Sequence, residues 1–199
     1  MEDITHAMKQ KNISKTKVFI ADYLDRLTAC LQSFDWSPVD HLAQKVQLIR
    51  KAGRQIFLCG NGGSAANAMH IANDLLYLKG RGLKVTALSA NQSVLTCLAN
   101  DLGYENIFSY QLKNLAQKGD LLIVLSGSGN SPNVVNALNA AKKIGMPTCA
   151  ILGYDGGRCR ELADIVIHFP VRDMQIAEDL QLVVGHMLMQ WLNQGSCHE

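Results

Sequence analysis

The residues of this 199-residue chain that are best suited to chemistry lie in one run, FLCGNGGSAANAMHIANDL, from Phe57 to Leu75. A glycine-rich turn leads to Ser64, and His70 and Asp74 follow six and ten residues later. Glycines let the backbone approach a ligand closely, and the first N–H groups of a helix attract an anion such as phosphate. An imidazole and a carboxylate four residues apart share one helix face, where they can move protons or bind a metal. The pattern predicts an enzyme that acts on a phosphorylated small molecule.

Several interpretations of these residues stay open from the sequence alone. The Ser64 hydroxyl can cap the helix that follows, or it can bind an anion at the same helix end. His70 and Asp74 can be metal ligands, an acid–base pair or a hydrogen-bonded structural pair. At 1.5 Å per residue, Asp74 lies about 15 Å along the helix axis from Ser64, which is long for a sugar held there by its phosphate. The hypothesis that follows is that the chemistry uses His70 or Asp74 of a neighbouring subunit.

A second turn rich in glycine and serine, SGSGNSPNVV, begins at Ser126. The hydroxyl groups of Ser126, Ser128 and Ser131, next to a helix start, suit the oxygens of a terminal phosphate. One such turn is consistent with an ordinary strand-to-helix connection, but two in the same sheet favour a phosphate site. Neither turn matches the Walker A sequence or the GxGxxG fingerprint, so a nucleotide is not implied.

The last helix carries a further histidine and further carboxylates. His186 stands within an apolar run, where a lone histidine is commonly a core or interface residue. Glu178 and Asp179 open the same helix, where carboxylates also interact favourably with the helix dipole. These patterns alone do not assign a role to any of the three residues.

Apolar periodicity predicts the elements that must position these side chains. The predicted helices cover Ser14–Phe34, Val39–Ala52, a segment opening near Ser64, Asn91–Asn100, 104–116, a segment ending at Gly145, and Gln175–Asn193. The predicted strands are Arg54–Cys59, Val85–Leu88, Leu121–Leu125, Thr148–Leu152 and Ile165–Phe169. This alternation predicts an α/β fold, a doubly wound five-stranded parallel sheet flanked by helices, with two leading helices. Both glycine turns follow strands, so they can face one ligand at the carboxyl edge of the sheet.

Composition narrows the class of protein. With 48% hydrophobic residues, we expect one domain over residues 1–199, with an α/β core at 54–199. The leading helices at 1–53 could cover the sheet or pack against another subunit, and we favour oligomerisation. The formal net charge of +2 gives no reason to expect a nucleic-acid or membrane partner. There is no signal-peptide pattern and no apolar run long enough to span a membrane. The six cysteines show no CxxC spacing, and several lie inside apolar runs, so we expect a cytoplasmic protein with reduced thiols, several of them in the core.

The motifs CGNGGSAANAMH and LSGSGNSPNVV, with TCLANDLGYENIF between them, resemble those of the sugar isomerase (SIS) domain family, and most of all its phosphoheptose isomerase branch. The resemblance covers nearly the whole chain. It implies a ketose–aldose isomerase that acts on sedoheptulose 7-phosphate for surface-polysaccharide precursor synthesis. It also implies a homotetramer with active sites at subunit interfaces. The residues it implies in substrate binding are Asn61, Gly62, Gly63, Ser64, Asn91, Ser126, Gly127, Ser128 and Ser131.

The same resemblance implies catalytic and metal residues. Asp74 stands where the branch has its catalytic glutamate, and His186 stands where it has an assisting histidine. Some members bind zinc through positions that match His70, Asp74, Glu178 and His186. Glu178 replaces a usual glutamine, and Asn91 replaces an aspartate. These departures at the reacting end leave an alternative open, in which sugar-phosphate binding is retained but the reaction or substrate differs.

Two other functions occur in proteins that resemble this chain. A tetrameric SIS adaptor that binds the bacterial replication initiator would keep the fold and the serine loops without an acid–base set. The presence of His70, Asp74 and His186 therefore counts against an adaptor. A SIS transcriptional regulator would need a helix-turn-helix domain, and the fifty N-terminal residues are too short for one in addition to the family's leading helices. The isomerase is the function that we expect.

Overall fold

The computed structural model of the chain describes residues 14–80 and 82–194, which form two compact units divided after Phe34. The first unit is a single helix, α1 (Lys15–Ser33), and the side chain of Ser14 caps its first turn. This helix confirms the first predicted element. Four of its apolar side chains are exposed: Val18, Phe19, Ile20 and Leu24.

The second unit is an α/β domain whose elements agree with the predicted ones to within about two residues at each end. Its strands are β1 (Gln55–Cys59), β2 (Lys84–Ala87), β3 (Leu121–Ser126), β4 (Thr148–Leu152) and β5 (Ile165–His168). Its helices are α2 (Ser37–Lys51), α3 (Gly63–Leu76), α4 (Gln92–Leu102), α5 (Ile107–Leu115), α6 (Pro132–Ile144), α7 (Gly157–Leu162) and α8 (Met174–Gln194). Within the described ranges, none of the helices is long and apolar enough to cross a membrane.

Two details of the elements differ from the predictions. The predicted helix 104–116 begins with a short 3₁₀ turn (Tyr104–Asn106) before α5 starts. Helix α7 has no counterpart among the predicted elements. Its six residues are too few to show a helical period of apolar side chains.

All five strands pair in parallel, in the order β2-β1-β3-β4-β5. The chain adds β2 on one side of β1 and then adds β3, β4 and β5 on the other side. The predicted doubly wound sheet is therefore confirmed, and its topological switch point lies between β1 and β3. Cys59 of β1 is in register with Val124 of β3, so the loops that follow these two strands begin side by side.

The sheet is covered on both faces, as its apolar strands predict. Helices α2, α3 and α8 pack on one face, and α4, α5 and α6 pack on the other. The leading helix α2 buries Leu42, Val46 and Ile49 and contacts β5 and α8. Of the two leading helices, α2 thus covers the sheet, and an assembly role for α1 stays a prediction.

The prediction that several cysteines lie in the core is confirmed among the described residues. Cys59, Cys149 and Cys159 are buried, and every described cysteine is unpaired. Burial raises the pKa of the Cys159 thiol to about 11, so this group is not a nucleophilic thiolate at neutral pH. Cys97 is exposed, and Cys197 lies outside the described residues.

Candidate active site

The candidate site is built on two helices, α3 and α8, that lie side by side and run in the same direction. Ser64 at the start of α3 bonds Gln181 on the second turn of α8. Lys79, just beyond the end of α3, bonds Asn193 near the end of α8. Because α3 begins directly after the loop that follows β1, its first turn lies at the switch point of the sheet.

Three predicted residues meet along this helix pair. The Nε2 atoms of His70 and His186 lie 2.9 Å apart, and Asp74 Oδ2 lies 3.5 Å from His70 Nε2 and 3.8 Å from His186 Nε2. The Asp74 side chain is 15% exposed, whereas each imidazole is 49% exposed, so the cluster is accessible from one side. A carboxylate beside two imidazoles can accept and return protons. The same two nitrogens and one oxygen are ligand types that zinc prefers.

Glu178 is the one predicted metal position that the structure does not bring to the two histidines. The cluster that could hold a metal in the described part of the chain consists of His70, Asp74 and His186. The Glu178 carboxylate instead lies against Gly63 at the first turn of α3. Helix geometry explains the separation, because eight residues between Glu178 and His186 correspond to about 12 Å along α8.

Ser64 does not cap α3, so that interpretation of the residue is wrong. The N-cap position belongs to Gly62, whose φ of 55° and ψ of −124° suit glycine far better than other residues. Ser64 is buried within the first turn. Its Oγ accepts a hydrogen bond from Gln181 Nε2 at 3.0 Å and lies 3.5 Å from Glu178 Oε1. The hydroxyl group therefore faces α8 rather than the backbone of its own helix.

Two buried amides, Asn67 and Gln181, hold α3 to α8 and are not singled out by the sequence motifs. Asn67 Nδ2 donates to the backbone carbonyl of Glu178 at 2.9 Å and to Gln181 Oε1 at 3.0 Å. Buried polar groups are costly unless they are paired, so these bonds fix the relative position of the two helices. The available sequence signal is their spacing, since each lies three residues after a site residue, Ser64 or Glu178.

The second glycine–serine turn follows β3 beside the first turn. Ser126 is buried, and its Oγ accepts a hydrogen bond from the Gly129 N–H at 3.0 Å. Ser128 Oγ accepts a longer bond, 3.3 Å, from the Asn130 N–H. Ser131 occupies the N-cap position of α6. The predicted serines therefore gather on one loop at the carboxyl end of β3, as the sequence predicts.

An amide pair joins the two glycine loops. Asn61 Nδ2 donates to Asn133 Oδ1 at 2.9 Å, and Asn133 Nδ2 donates to Asn61 Oδ1 at 2.8 Å. The Tyr104 hydroxyl adds a third bond, to Asn61 Oδ1 at 3.1 Å. Asn133 is 1% exposed, yet in the sequence it is an unremarked residue of a helix start. The Asn61–Asn133 amide pair thus fixes the spacing of the loops that the sequence predicts to bind phosphate.

The start of α8 lies over both glycine loops, and two glycines make room for it. A Cβ atom at Gly63 would meet the Glu178 carboxylate, and one at Gly127 would meet the Met174 side chain. These two predicted loop residues are therefore glycines partly because α8 packs closely on them. Their absent side chains bring the Glu178 carboxylate into contact with the first turn of α3.

Asn91 lies after β2, at the start of α4. Its Oδ1 accepts a hydrogen bond from the Val94 N–H at 3.1 Å and caps α4. It also lines a cleft of about 990 Å³ formed by β2, α4 and α5. The lining of this cleft contains no other predicted site residue.

Gly185 allows the close approach of α3 and α8 beside the histidines. A Cβ atom at position 185 would lie 2.5 Å from Ile71 Cγ1, closer than two side-chain carbons approach each other. Ile71 follows His70 and Gly185 precedes His186, so this contact helps to set the distance between the two imidazoles. A glycine inside a helix ordinarily weakens it, and close packing is the physical reason for one here.

We expect Gly185→Ala to destabilise the protein, although alanine is ordinarily the better helix residue by about 1 kcal/mol. Ile71 is branched and buried, so overpacking should cost about 2–3 kcal/mol. After the opposing helix gain of about 1 kcal/mol, the net loss of about 1–2 kcal/mol should lower the melting temperature by roughly 2–8 °C. Thermal unfolding followed by circular dichroism measures the change. Gly63→Ala is the matched control, because its methyl group meets only the flexible end of Glu178. A higher melting temperature for Gly185→Ala would contradict the close packing.

Known proteins match the chain in both sequence and structure. A model of the SIS domain family matches residues 21–153. The phosphoheptose isomerase of Aliarcobacter butzleri is 42% identical over 151 residues, which cover 74% of this chain and 80% of that protein. The phosphoheptose isomerase of Trichlorobacter lovleyi is 38% identical over 183 residues, or 89% and 93% of the two chains. The solved structure of the phosphoheptose isomerase GmhA from Neisseria gonorrhoeae has a TM-score of 0.85 at 28% identity, covering 90% of this chain and 100% of that one.

Proposed function

The chain belongs to the phosphoheptose isomerase branch of the SIS domain family, and we propose that it interconverts sedoheptulose 7-phosphate and D-glycero-D-manno-heptose 7-phosphate. Its role would be to supply a surface-polysaccharide precursor in the cytoplasm, a compartment that suits its unpaired cysteines. The observation that carries the proposal is the meeting of His70, Asp74 and His186 on helices that start at the glycine loops. An adaptor without chemistry would have no need of this cluster.

The phosphate end of the substrate is proposed to bind at the two glycine loops. Both loops lie at the carboxyl edge of the sheet on either side of the switch point, where doubly wound folds bind their ligands. The N-terminal ends of α3 and α6 add backbone N–H groups and the positive ends of two helix dipoles. The residues proposed for this end are Asn61, Gly62, Gly63, Ser64, Ser126, Gly127, Ser128 and Ser131, whereas Asn91 is proposed to bind the substrate at its reacting end.

The reacting end is proposed to meet Asp74 and His186. Ketose–aldose interconversion removes a proton from the carbon beside the carbonyl, forms an enediol, and returns a proton to the neighbouring carbon. The Asp74 carboxylate, held between two imidazoles, would take and return that proton. The His186 imidazole, which can both donate and accept, would move a proton between the two oxygens.

We include zinc in the proposal as a cofactor. His70, Asp74 and His186 offer three ligand atoms within 4.8 Å of one another, and three protein ligands are the usual number in catalytic zinc sites. Glu178 lies too far along α8 to complete this set within one chain. When bound, zinc would supply a Lewis acid that polarises the substrate carbonyl.

We also propose that the protein is a homotetramer with active sites between subunits. The exposed apolar side chains of α1 support assembly, since exposed apolar patches mark interaction surfaces. The distance along α3 supports shared sites, because Asp74 and Ser64 of one chain are separated by about 15 Å along the helix axis. In a site shared by two subunits, the phosphate-binding loops of one chain and the Asp74 cluster of the other could lie within the length of one sugar.

Isomerisation of sedoheptulose 7-phosphate by the purified protein tests this function. We expect turnover, a higher rate when zinc is restored after chelation, and a light-scattering mass near four times the 21.8 kDa of the chain. Another phosphosugar that raises the melting temperature, without turnover of sedoheptulose 7-phosphate, would indicate a different substrate. If no sugar phosphate binds, the isomerase is contradicted and the adaptor that binds the replication initiator is favoured.

A further inference from the structure

The buried amides around Ser64 determine which way its single hydroxyl proton can point. Because Asn67 Nδ2 donates to the Glu178 carbonyl and to Gln181 Oε1, the Gln181 amide presents its Nε2 to Ser64 Oγ. An amide nitrogen only donates, so Ser64 is the acceptor in that bond. The O–H of Ser64 is therefore left for a different partner.

The partner that this O–H faces is the carboxylate of Glu178. Glu178 Oε1 lies 3.5 Å from Ser64 Oγ, and the carboxylate also lies against Gly63, the first residue of α3. Among the described residues, no lysine, arginine or histidine forms an ion pair with Glu178. A negative charge thus occupies the positive end of α3, the position that the proposed function assigns to a phosphate.

We propose that Glu178 is a specificity-determining residue that competes with the phosphate of the ligand for the Ser64 hydroxyl and the first turn of α3. The inference rests on the proposed function, because it requires a phosphorylated ligand at this turn. A bare phosphate or sulfate ion must displace the carboxylate or lie beside it, and like charges at contact distance repel each other. The charge of Glu178 therefore weakens the binding of simple anions.

A phosphosugar differs from a simple anion in what it offers the carboxylate. Its hydroxyl groups are hydrogen-bond donors, and an ionised carboxylate only accepts hydrogen bonds. New bonds from sugar hydroxyls can offset the loss of the Ser64 bond and part of the charge repulsion. Glu178 accordingly favours polyhydroxylated phosphate esters over inorganic phosphate.

Calorimetric titration of the wild-type protein, Glu178→Gln and Asp179→Asn with inorganic phosphate and with sulfate tests this inference. Glutamine keeps the shape of the side chain and removes its charge. We expect Glu178→Gln to bind both anions about tenfold more tightly, which corresponds to about 1.4 kcal/mol. The gain for sedoheptulose 7-phosphate should be smaller. Asp179→Asn makes the same charge change at the exposed neighbouring residue and should alter anion affinity by about twofold at most.

Two results would overturn the inference. One is an affinity of Glu178→Gln for inorganic phosphate that equals or falls below that of the wild type, including undetectable binding by both. The other is an equal gain in Asp179→Asn, because net charge alone would then explain it. Turnover of sedoheptulose 7-phosphate by the wild type tests the proposed function separately. If the wild type is active but Glu178→Gln does not change the affinity for inorganic phosphate, the proposed function stands and this inference is wrong.

Discussion

Replacing Asp74 with asparagine is expected to lower kcat for sedoheptulose 7-phosphate by about a thousandfold and to leave KM within about threefold of the wild-type value. Asparagine has the shape of aspartate, but its amide cannot take a proton from carbon at neutral pH. The predicted phosphate-binding loops lie at the other end of α3 and are not altered by the change. Steady-state kinetics on the purified variant measures both constants.

Two further variants separate the loss of a base from the loss of local structure. Asp101→Asn makes the same change at an exposed position on α4 and should retain wild-type kinetics. Asp74→Glu supplies the carboxylate that the family resemblance implies here, and we expect it to retain turnover. Full activity of Asp74→Asn, with a normal melting temperature, would exclude Asp74 as the base and leave His186 as the candidate.

The fold could be predicted because its signals are local. The unbroken apolar run Leu121–Leu125 indicates a strand buried on both faces, and the structure buries all of β3. The period of α8 was visible over five turns of apolar side chains. The six residues of α7 show no such period, and whether the α2 segment would cover the sheet or another subunit depended on tertiary packing that periodicity does not describe.

The candidate site could be predicted only where one element supplies the geometry. His70 and Asp74 share a helix face at a spacing of four residues, so their proximity follows from the sequence. The sequence does not show which residues of α8 face α3. The role of His186 is implied by the family resemblance alone. Gln181 and Gly185 set that contact through a buried hydrogen bond and an absent side chain, and the spacing of Gln181 from Glu178 does not by itself show that the two helices meet there.

Glu178 is a predicted metal residue that the structure places away from the cluster of His70, Asp74 and His186. The resemblance implies that Glu178 binds a metal together with His70 and His186. Glu178 and His186 lie on the same helix, however, and the helix fixes the distance between them. The rise of α8 instead puts Glu178 about 12 Å from His186 along the axis, at the loop end of the site. Only the packing of α8 on Gly63 reveals that its carboxylate lies where an anion would bind.

The Asn61–Asn133 amide pair is expected to have the largest effect on activity outside the histidine–aspartate cluster. Asn133→Ala removes both bonds between the pair, so the two glycine loops lose the connection that fixes their spacing. A shift of about 1 Å in a binding site can cost about a hundredfold in rate. Because these loops are proposed to hold the phosphate and not the reacting carbons, we expect kcat/KM to fall about a hundredfold, mainly through KM.

Steady-state kinetics of Asn133→Ala should be compared with Asn139→Ala, which makes the same change on a later turn of α6. The pair also permits a double-mutant cycle. Because Asn61→Ala and Asn133→Ala each break the same two bonds, the double variant should be little worse than the poorer single variant. Additive losses would contradict the pairing, since each asparagine would then act through a different partner. A lower melting temperature with unchanged KM would limit Asn133 to stabilising the fold, because misplaced phosphate loops must weaken substrate binding.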